Sequence, residues 1–290
     1  MISKEIAAQV KELEIHTRRI LSGSGLGGSR SRQRGFGFEF DQLRTYQYGD
    51  DVRLIDWKSS ARTGDTLLVR QYFEERNRVF MICLDVSAST LFSSGDIRKQ
   101  DMMKQISGVL SLAAEYSKDK VGLILFSDRI EKVVPPAKGK AHVHSIIETI
   151  FTHKSQGRLT DLAVLFEHVA QKVVKHAIVF VISDFIAPNY EKSLRQAVVN
   201  KDIIAVSCAD KQEIDLASVG FLWMLDSETD NCVLIDARKK NKVVTKKILS
   251  ERILVQKKIF HSHKIDFVHI QSKQHFIQDL IMFFQKRLIY

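Results

Sequence analysis

From residue 78 onward, the chain alternates between two patterns of hydrophobic and polar positions. Short apolar runs rich in β-branched residues predict buried strands, and the stretches between them repeat apolar residues at helical spacing. This alternation is typical of a parallel sheet with helices on both faces, so we predict an α/β fold with a mostly parallel central sheet. The predicted strands are 79–84, 121–126, 130–134, 177–183, 203–208 and 265–270, and the predicted helices are 99–118, 141–151, 161–174, 190–200 and 274–288.

Before residue 78 the pattern is different. A helix is predicted over 3–21, followed by a Gly/Ser-rich linker and a charged, aromatic-containing segment over 36–78. We therefore divide the chain into an N-terminal helical or irregular region, 1–77, and an α/β domain, 78–290. A polar stretch near 226–245 interrupts the α/β pattern and is predicted to be a hairpin-like insertion.

Composition places the chain among ordinary globular proteins. Its 290 residues, 44% of them hydrophobic, suffice for a large core. No run approaches the roughly 18 uncharged apolar residues of a membrane span, and the N-terminus lacks the apolar core of a signal peptide. The three cysteines have no zinc or redox spacing. We therefore expect a cytoplasmic protein with reduced cysteines and no integral membrane span.

Most of the net charge of +10 comes from the region 238–258, in which Glu251 is the single acidic residue among lysines and arginines. Two interpretations stay open: a solvated helix face, or a surface for nucleic acid or another anion. Aromatic residues are not interleaved with these cations, as base stacking on a single strand would require. We therefore favour protein partners and keep binding of nucleic acid or another anionic surface through 238–258 as the alternative function.

Oxygen-bearing side chains follow two of the predicted strands. The run "LDVSAST" places Asp85, Ser87 and Ser89 in the turn after the first strand, and "VISD" places Asp184 after the strand 177–183. In such sheets, ligands bind beyond the carboxyl ends of the strands. We expect Asp184 at the same end of the sheet as Asp85, two or three strand positions away. Thr160, at a predicted helix start, can cap the helix and also supply an oxygen. These hard ligands predict a site for Mg²⁺, with Mn²⁺ as an alternative. The other interpretation is that these residues only form turns and helix caps, where Asp and Ser are also common.

The same residues do not favour catalysis. An aspartyl phosphatase would usually carry a second carboxylate two residues after its nucleophile, but residue 87 is serine. Neither Ser87 nor Ser89 lies in a G-x-S-x-G elbow, and the sequence places no histidine as their base. We therefore predict a binding protein rather than an enzyme.

Two resemblances sharpen this prediction. The segments "DVSAS", "LTDL" and "ISD" resemble the metal-ion-dependent adhesion site of von Willebrand factor A domains, and "FDQLRTYQYGDDVRLIDWKSSARTGDTLLVRQYFEER" resembles the signature of the bacterial family called domain of unknown function 58. The resemblance implies a Rossmann-like von Willebrand factor A fold. It also implies the metal ligands Asp85, Ser87, Ser89, Thr160 and Asp184.

Members of that family typically resemble partners of MoxR-type AAA+ ATPases. The resemblance implies a metal-dependent adaptor in the remodelling or maturation of client proteins, in which an acidic residue of the ATPase or client completes the metal shell. Related sequences often have glycine before the threonine, whereas this chain has Arg158 and Leu159. These two residues would either restrict approach to the ion or offer a positive charge to the partner.

The signature segment contains closely spaced charges of both signs. One interpretation is structural: Trp57 anchors the segment on the α/β domain, and the arginines form bidentate pairs with the aspartates. The other is a direct contact surface for the ATPase or a client, and the sequence does not separate the two. The residues concerned are Arg44, Asp50, Asp51, Arg53, Asp56, Trp57 and Arg62.

Overall fold

The computed structural model describes most of the chain outside its N-terminal region. The described residues are 39–64, 66–73, 78–91, 98–210, 221–225, 232–236, 239–271 and 276–289. The predicted helix 3–21 and the Gly/Ser-rich linker lie outside them. The described residues fall into two compact units, one before residue 77 and the other from Arg78 onward.

The smaller unit is built on a two-stranded antiparallel sheet. Strand β1 (Glu39–Thr45) pairs with β2 (Leu68–Phe73). Between them lie a 3-10 turn at Val52–Leu54 and the short helix α1 (Trp57–Thr63). The buried hydroxyl of Ser60 accepts a hydrogen bond from the Leu68 amide at 2.8 Å, which ties the helix to the start of β2.

The strands of the larger unit are β3 (Val79–Asp85), β4 (Lys120–Phe126), β5 (Ile130–Ala137), β6 (Ile178–Ser183), β7 (Asp202–Cys208), β8 (Phe221–Leu225), β9 (Cys232–Asp236) and β10 (Asp266–Ile270). Six of them form a sheet in the order β10-β7-β6-β3-β4-β5, and every pair in it is parallel except β4 with β5. A separate hairpin pairs β8 with β9. The predicted α/β class with a mostly parallel sheet is therefore confirmed.

Helices cover both faces of the sheet because alternate strand residues point to opposite sides. The helices are α2 (Lys99–Tyr116), α3 (Lys140–Thr152), α4 (Leu162–Lys172), α5 (Glu191–Ala197), α6 (Lys239–Ser262) and α7 (Phe276–Ile289). Phe80, Ile82 and Leu84 of β3 belong to the core cluster that includes residues of α2, α3 and α7. Met81 and Cys83 belong to the cluster that includes residues of α4, α5 and α6.

Strand β5 extends further than its predicted bounds of 130–134. It continues through Pro135 and Pro136 to Ala137, with a register shift against β4 between Val121 and Leu123. Proline has no amide to donate, but β5 is the edge strand of the sheet, and both an edge and a bulge tolerate that loss. The two prolines therefore lie within the strand and do not end it.

The hairpin lies earlier in the chain than the predicted insertion at 226–245. Its strands are Phe221–Leu225 and Cys232–Asp236, while residues 239–245 already belong to α6. No helix in the described part of the chain combines the length and apolar content that crossing a bilayer requires. The three cysteines are free thiols.

The strand order reverses between β3 and β6. From β3 the chain moves outward to β4 and β5, and then returns to β6 on the opposite side of β3 before continuing to β7. Leu84 lies opposite Ile182 in the parallel register, so β3 and β6 end side by side. This is the position where open α/β sheets bind ligands.

Substituting Phe180 with alanine tests this core. Its buried ring stacks on Phe80 with centroids 6.0 Å apart and meets Phe284 edge-on at 6.1 Å. We expect Phe180→Ala to lower the free energy of unfolding by about 3–5 kcal/mol because a cavity opens in the core. Val133→Ala, on the exposed side of β5, should cost less than about 1 kcal/mol. Equal losses in urea denaturation would contradict the assignment of Phe180 to the core.

Candidate metal centre

Asp85 is the last residue of β3 and is completely buried. One carboxylate oxygen accepts a hydrogen bond from the Ser183 hydroxyl at 2.6 Å, and the other accepts one from the Ser87 amide at 2.9 Å. Ser183 was missed by the sequence analysis, because its contact with Asp85 depends on β6 lying directly beside β3. The predicted separation of two or three strand positions was wrong, since Asp85 and Asp184 end neighbouring strands.

Ser87 and Ser89 lie in the turn that follows, as the sequence predicted. Their hydroxyl oxygens are 3.1 Å apart, and the Thr90 hydroxyl donates to the Ser87 carbonyl at 2.7 Å, which holds the turn. Ser87 is buried, whereas Ser89 is partly exposed. The pair therefore places two hydroxyl oxygens side by side, one on a buried residue and one on a partly exposed residue.

Thr160 lies on a segment that contacts this turn. The Ala88 amide donates to the Arg158 carbonyl at 3.0 Å, and the Asp161 amide donates to the Ser127 carbonyl at 3.0 Å. Asp161, and not Thr160, caps α4, because its carboxylate accepts from the Ala163 and Val164 amides. The predicted capping role of Thr160 was wrong, and this residue is only 8% exposed.

Asp184 follows β6 and forms a buried ion pair that the sequence analysis did not anticipate. The Lys99 ammonium lies 2.9 Å from one Asp184 carboxylate oxygen, and the Ile186 amide donates to the other oxygen at 3.1 Å. Lys99 is the first residue of α2 and is only 1% exposed. A lysine at a helix start is ordinarily solvated, so only the fold reveals this pairing.

The negative charges of Asp85 and Asp184 are offset to different extents. Burial, and then the nearby negative charge of Asp184, raise the pKa of Asp85 well above its ordinary value, against the lowering effect of the hydrogen bonds from Ser183 and Ser87. Lys99 offsets the negative charge of Asp184, whereas the charge of Asp85 is offset by those two hydrogen bonds. The site would therefore gain from a further positive charge near Asp85.

The donor set fits a hard divalent cation. A buried carboxylate stands beside two adjacent hydroxyls, and these are the oxygen ligands that suit Mg²⁺ or Mn²⁺. Across the described ranges, His, Cys, Asp and Glu side chains nowhere gather in threes as a metal site would need. A metal at this edge would accordingly rest on hydroxyl oxygens as well as on carboxylates.

Hydrogen bonds to Glu131 of β5 hold the loop that carries Thr160. The fully buried Glu131 carboxylate accepts hydrogen bonds from His153 at 2.6 Å, from the Ser155 hydroxyl at 2.9 Å and from the Gly157 amide at 3.0 Å. Burial alone would raise the pKa of Glu131, but these hydrogen bonds outweigh it and lower the pKa to about 2. Glu131 is a second residue that sequence reasoning missed.

Several charged side chains of the signature segment have their partners within the smaller unit. Arg44 forms a bidentate pair with Asp50 at 2.6 and 2.7 Å, as one of the two interpretations requires. The partner of Asp56 is Arg70, which no sequence argument named, and Asp56 also caps α1. Asp51 accepts a hydrogen bond from the Arg53 amide and caps the 3-10 turn.

Some residues of the signature segment face solvent. Trp57 is 65% exposed, and the side chains of Arg53 and Arg62 are also exposed. Neither the anchoring role of Trp57 nor the contact surface is tested by these features, and both stay predictions.

The basic region 238–258 forms much of α6. Residue 238 lies outside the described part of the chain, and at the C-terminal end of the region Arg252, Lys257 and Lys258 are exposed. Exposed basic side chains suit a solvated helix face and an anion-binding face equally well. Binding of nucleic acid through this helix stays a prediction.

Known proteins place this arrangement in a family. The model of the family described as Protein of unknown function DUF58 matches residues 42–249. Uncharacterized proteins of Mycobacterium tuberculosis and Mycobacterium bovis are 28% identical to the chain over 228 residues. The matches cover 78% of this chain and 72% of each relative.

Solved structures show only a distant likeness. An aerotolerance-related membrane protein from Bacteroides fragilis is 13% identical, with a TM-score of 0.48 over 72% of this chain and 99% of that one. The conserved hypothetical protein BatB from Bacteroides thetaiotaomicron is also 13% identical, with a TM-score of 0.47 over 73% of this chain and 100% of that one. Similarity at this level assigns neither a fold family nor a function.

Gly157 tests whether the loop holds the site. A Cβ atom at this position would lie 2.8 Å from the Ser127 Cβ and inside contact distance of the Ser127 and Asp128 polar atoms. We expect Gly157→Ala to cost about 1–3 kcal/mol of stability and to weaken Mg²⁺ binding, because the loop must move. Gly108→Ala is the control: a Cβ there meets nothing within 4 Å, so it should gain up to about 1 kcal/mol in helix propensity. A Gly157→Ala protein with wild-type stability and metal affinity would contradict the assignment.

The lowered pKa of Glu131 predicts a pH dependence. A depressed carboxyl pKa stabilises the fold above the ordinary value of 4.5, and that contribution is lost as the pH falls through about 2. We therefore expect Glu131→Gln to lower the melting temperature at pH 7, with the difference from wild type shrinking at pH 3 and below. Glu148→Gln, an exposed change on α3, should show no such trend. A difference that stays constant with pH would refute the ionised role of Glu131.

Proposed function

Because this chain belongs to the DUF58 family of proteins of unknown function, we propose its role from its own chemistry: it is a non-catalytic adaptor that binds protein partners through a divalent cation. We further propose that its fold is the Rossmann-like von Willebrand factor A fold, with Asp85, Ser87, Ser89, Thr160 and Asp184 as the adhesion site. The observation that carries the proposal is the convergence of buried Asp85 with two hydroxyls 3.1 Å apart, at the reversal of strand order.

Four of these residues have distinct parts in this proposal. Ser87, Ser89 and Thr160 would hold the ion through neutral hydroxyls, while Asp85, oriented by Ser183 and the Ser87 amide, would supply the nearest negative charge. Bound Mg²⁺, or Mn²⁺, would supply an electrophilic position for a partner's Asp or Glu carboxylate. Neutral ligands leave more of the ionic charge available for that carboxylate than acidic ligands would.

The arrangement supports binding more than turnover. Both oxygens of Asp85 already accept hydrogen bonds and the residue is buried, so it is poorly placed as a nucleophile. Within the part of the chain that the structure describes, Ser87 and Ser89 bond to each other and no histidine is bonded to them. The described residues therefore include no histidine bonded to either hydroxyl that would act as its base.

The surroundings suit an acidic partner with apolar neighbours. A cavity of about 350 Å³ lies between the loop after β6 and helix α6, lined in part by Ile186, Pro188, Arg252 and Val255. Gln256, also in its wall, donates to the backbone carbonyls of Asp184 and Phe185, which ties this wall to the segment that carries Asp184. Arg158, which is exposed, and Leu159, which is 46% exposed, directly precede Thr160 in the chain.

We propose a MoxR-type AAA+ ATPase or its client as this partner, met in the cytoplasm. The ATPase would supply nucleotide-driven force, and this chain would recognise one acidic residue on the ATPase or client. Remodelling or maturation of the client would follow from that recognition. The proposed partner rests on the family resemblance of the signature segment, and the acidic anchor rests on the chemistry of the site.

Partner capture in the presence and absence of metal tests the proposal. We expect wild-type protein to retain a AAA+ ATPase or a client from native lysate with Mg²⁺ but not with EDTA, as read by mass spectrometry. Asp85→Ala and the double variant Ser87→Ala/Ser89→Ala should lose that retention, because each removes oxygens that hold the ion. The double variant keeps both carboxylates, so its loss would assign a role to the hydroxyls themselves.

Two controls accompany this experiment. Ser145→Ala removes an exposed hydroxyl on α3 and should retain the same partner as wild type. Thermal unfolding with Mg²⁺ should show stabilisation of wild type and of Ser145→Ala alone, since a ligand that binds only the folded state raises its stability. If all variants retain the same proteins with and without metal, the metal centre is not the recognition site.

A further inference from the structure

Lys99 is unusually buried for a charged residue. Its side chain is only 1% exposed and is among the largest fully buried side chains of the protein. Lysine is almost never buried to this extent unless its charge is paired. Its ammonium lies 2.9 Å from Asp184 Oδ2, so the first residue of α2 places a fixed positive charge inside the candidate metal centre.

This contact limits what Asp184 can do. Oδ2 of Asp184 is bonded to Lys99, and Oδ1 accepts from the Ile186 amide at 3.1 Å. Each oxygen thus accepts one hydrogen bond within the protein, and the ammonium beside Oδ2 repels a second cation that would coordinate there. Asp85, in contrast, is bonded only to uncharged donors.

We propose that Lys99 is a built-in counter-cation that offsets the charge of Asp184, keeps it out of direct contact with the metal and sets the metal affinity of the site. The inference rests on the proposed function, because it concerns the same ion. Lys99 adds one positive charge to a cluster of carboxylates and hydroxyls, so metal binding is weaker than the two aspartates alone would give. The charge left on the bound ion is then available to the partner's carboxylate.

The proposal predicts opposite effects on two kinds of binding. Replacing Lys99 with methionine, an unbranched side chain, leaves one more uncompensated negative charge beside the ion. Mg²⁺ should then bind more tightly by at least about tenfold, since removing a full positive charge from a buried site that holds a cation changes binding strongly. The partner should bind less tightly, because more of the ionic charge is neutralised before it arrives. A purely structural ion pair would not produce a gain in one and a loss in the other.

Calorimetric titration with Mg²⁺ tests the proposal on four full-length proteins: wild type, Lys99→Met, Asp184→Asn and Lys99→Met/Asp184→Asn. Asp184→Asn removes one negative charge and the double variant restores the wild-type balance. The expected order of affinity is Asp184→Asn weakest, wild type and the double variant alike, and Lys99→Met tightest. Lys192→Met, which removes an exposed lysine on α5, is the control and should match wild type.

Several outcomes decide the question. A folded Lys99→Met protein with unchanged or weaker Mg²⁺ affinity would overturn the proposal. If Lys99→Met does not fold, the other two variants decide it: recovery of wild-type affinity in the double variant supports the counter-cation, and affinity as weak as Asp184→Asn overturns it. Should Lys99→Met bind Mg²⁺ while wild type does not, the counter-cation would be supported and the metal-dependent adaptor would be wrong. No Mg²⁺ binding by any of the four would overturn both.

Discussion

The structure depends on the burial of negative charge where two neighbouring parallel strands end. Asp85 and Asp184 leave β3 and β6 side by side, and a buried carboxylate is costly unless its charge is offset by a cation or hydrogen bonds. Lys99 reaches one of them from α2, while Asp85 has only a hydroxyl and an amide. The raised pKa of Asp85, caused by burial and by Asp184, records that imbalance.

The rest of the larger unit serves to hold this edge of the sheet. Two hydrophobic clusters fix the strands from both faces, and the loop bearing Thr160 is fastened by Glu131 and by the close approach of Gly157 to Ser127. Gln256 attaches α6 to the loop after β6. Because the donors are fixed before any ligand arrives, little conformational entropy would be lost when an ion binds.

Much of this could be predicted from the sequence, since hydrophobic runs mark buried strands and the aspartates follow two of them directly. Strand adjacency could not, because local patterns do not say which strands pair, and for that reason the contact between Ser183 and Asp85 was missed. Thr160 and Asp161 are both good capping residues, so only the structure shows that Asp161 caps α4. Lys99 at a helix start and Pro135 within β5 are determined by tertiary position, which overrides the usual preference of each residue.

The most direct test of the central claim is a crystal structure of the full chain grown with Mn²⁺, with the ion located by its anomalous scattering. The proposed adaptor predicts one strong peak within coordination distance, about 2.2 Å, of the Ser87 and Ser89 hydroxyl oxygens. It also predicts that the Lys99 contact with Asp184 persists beside the ion. A peak bound directly to Asp184 with Lys99 displaced would contradict the role of Lys99, and no peak at this edge of the sheet would contradict the metal centre itself.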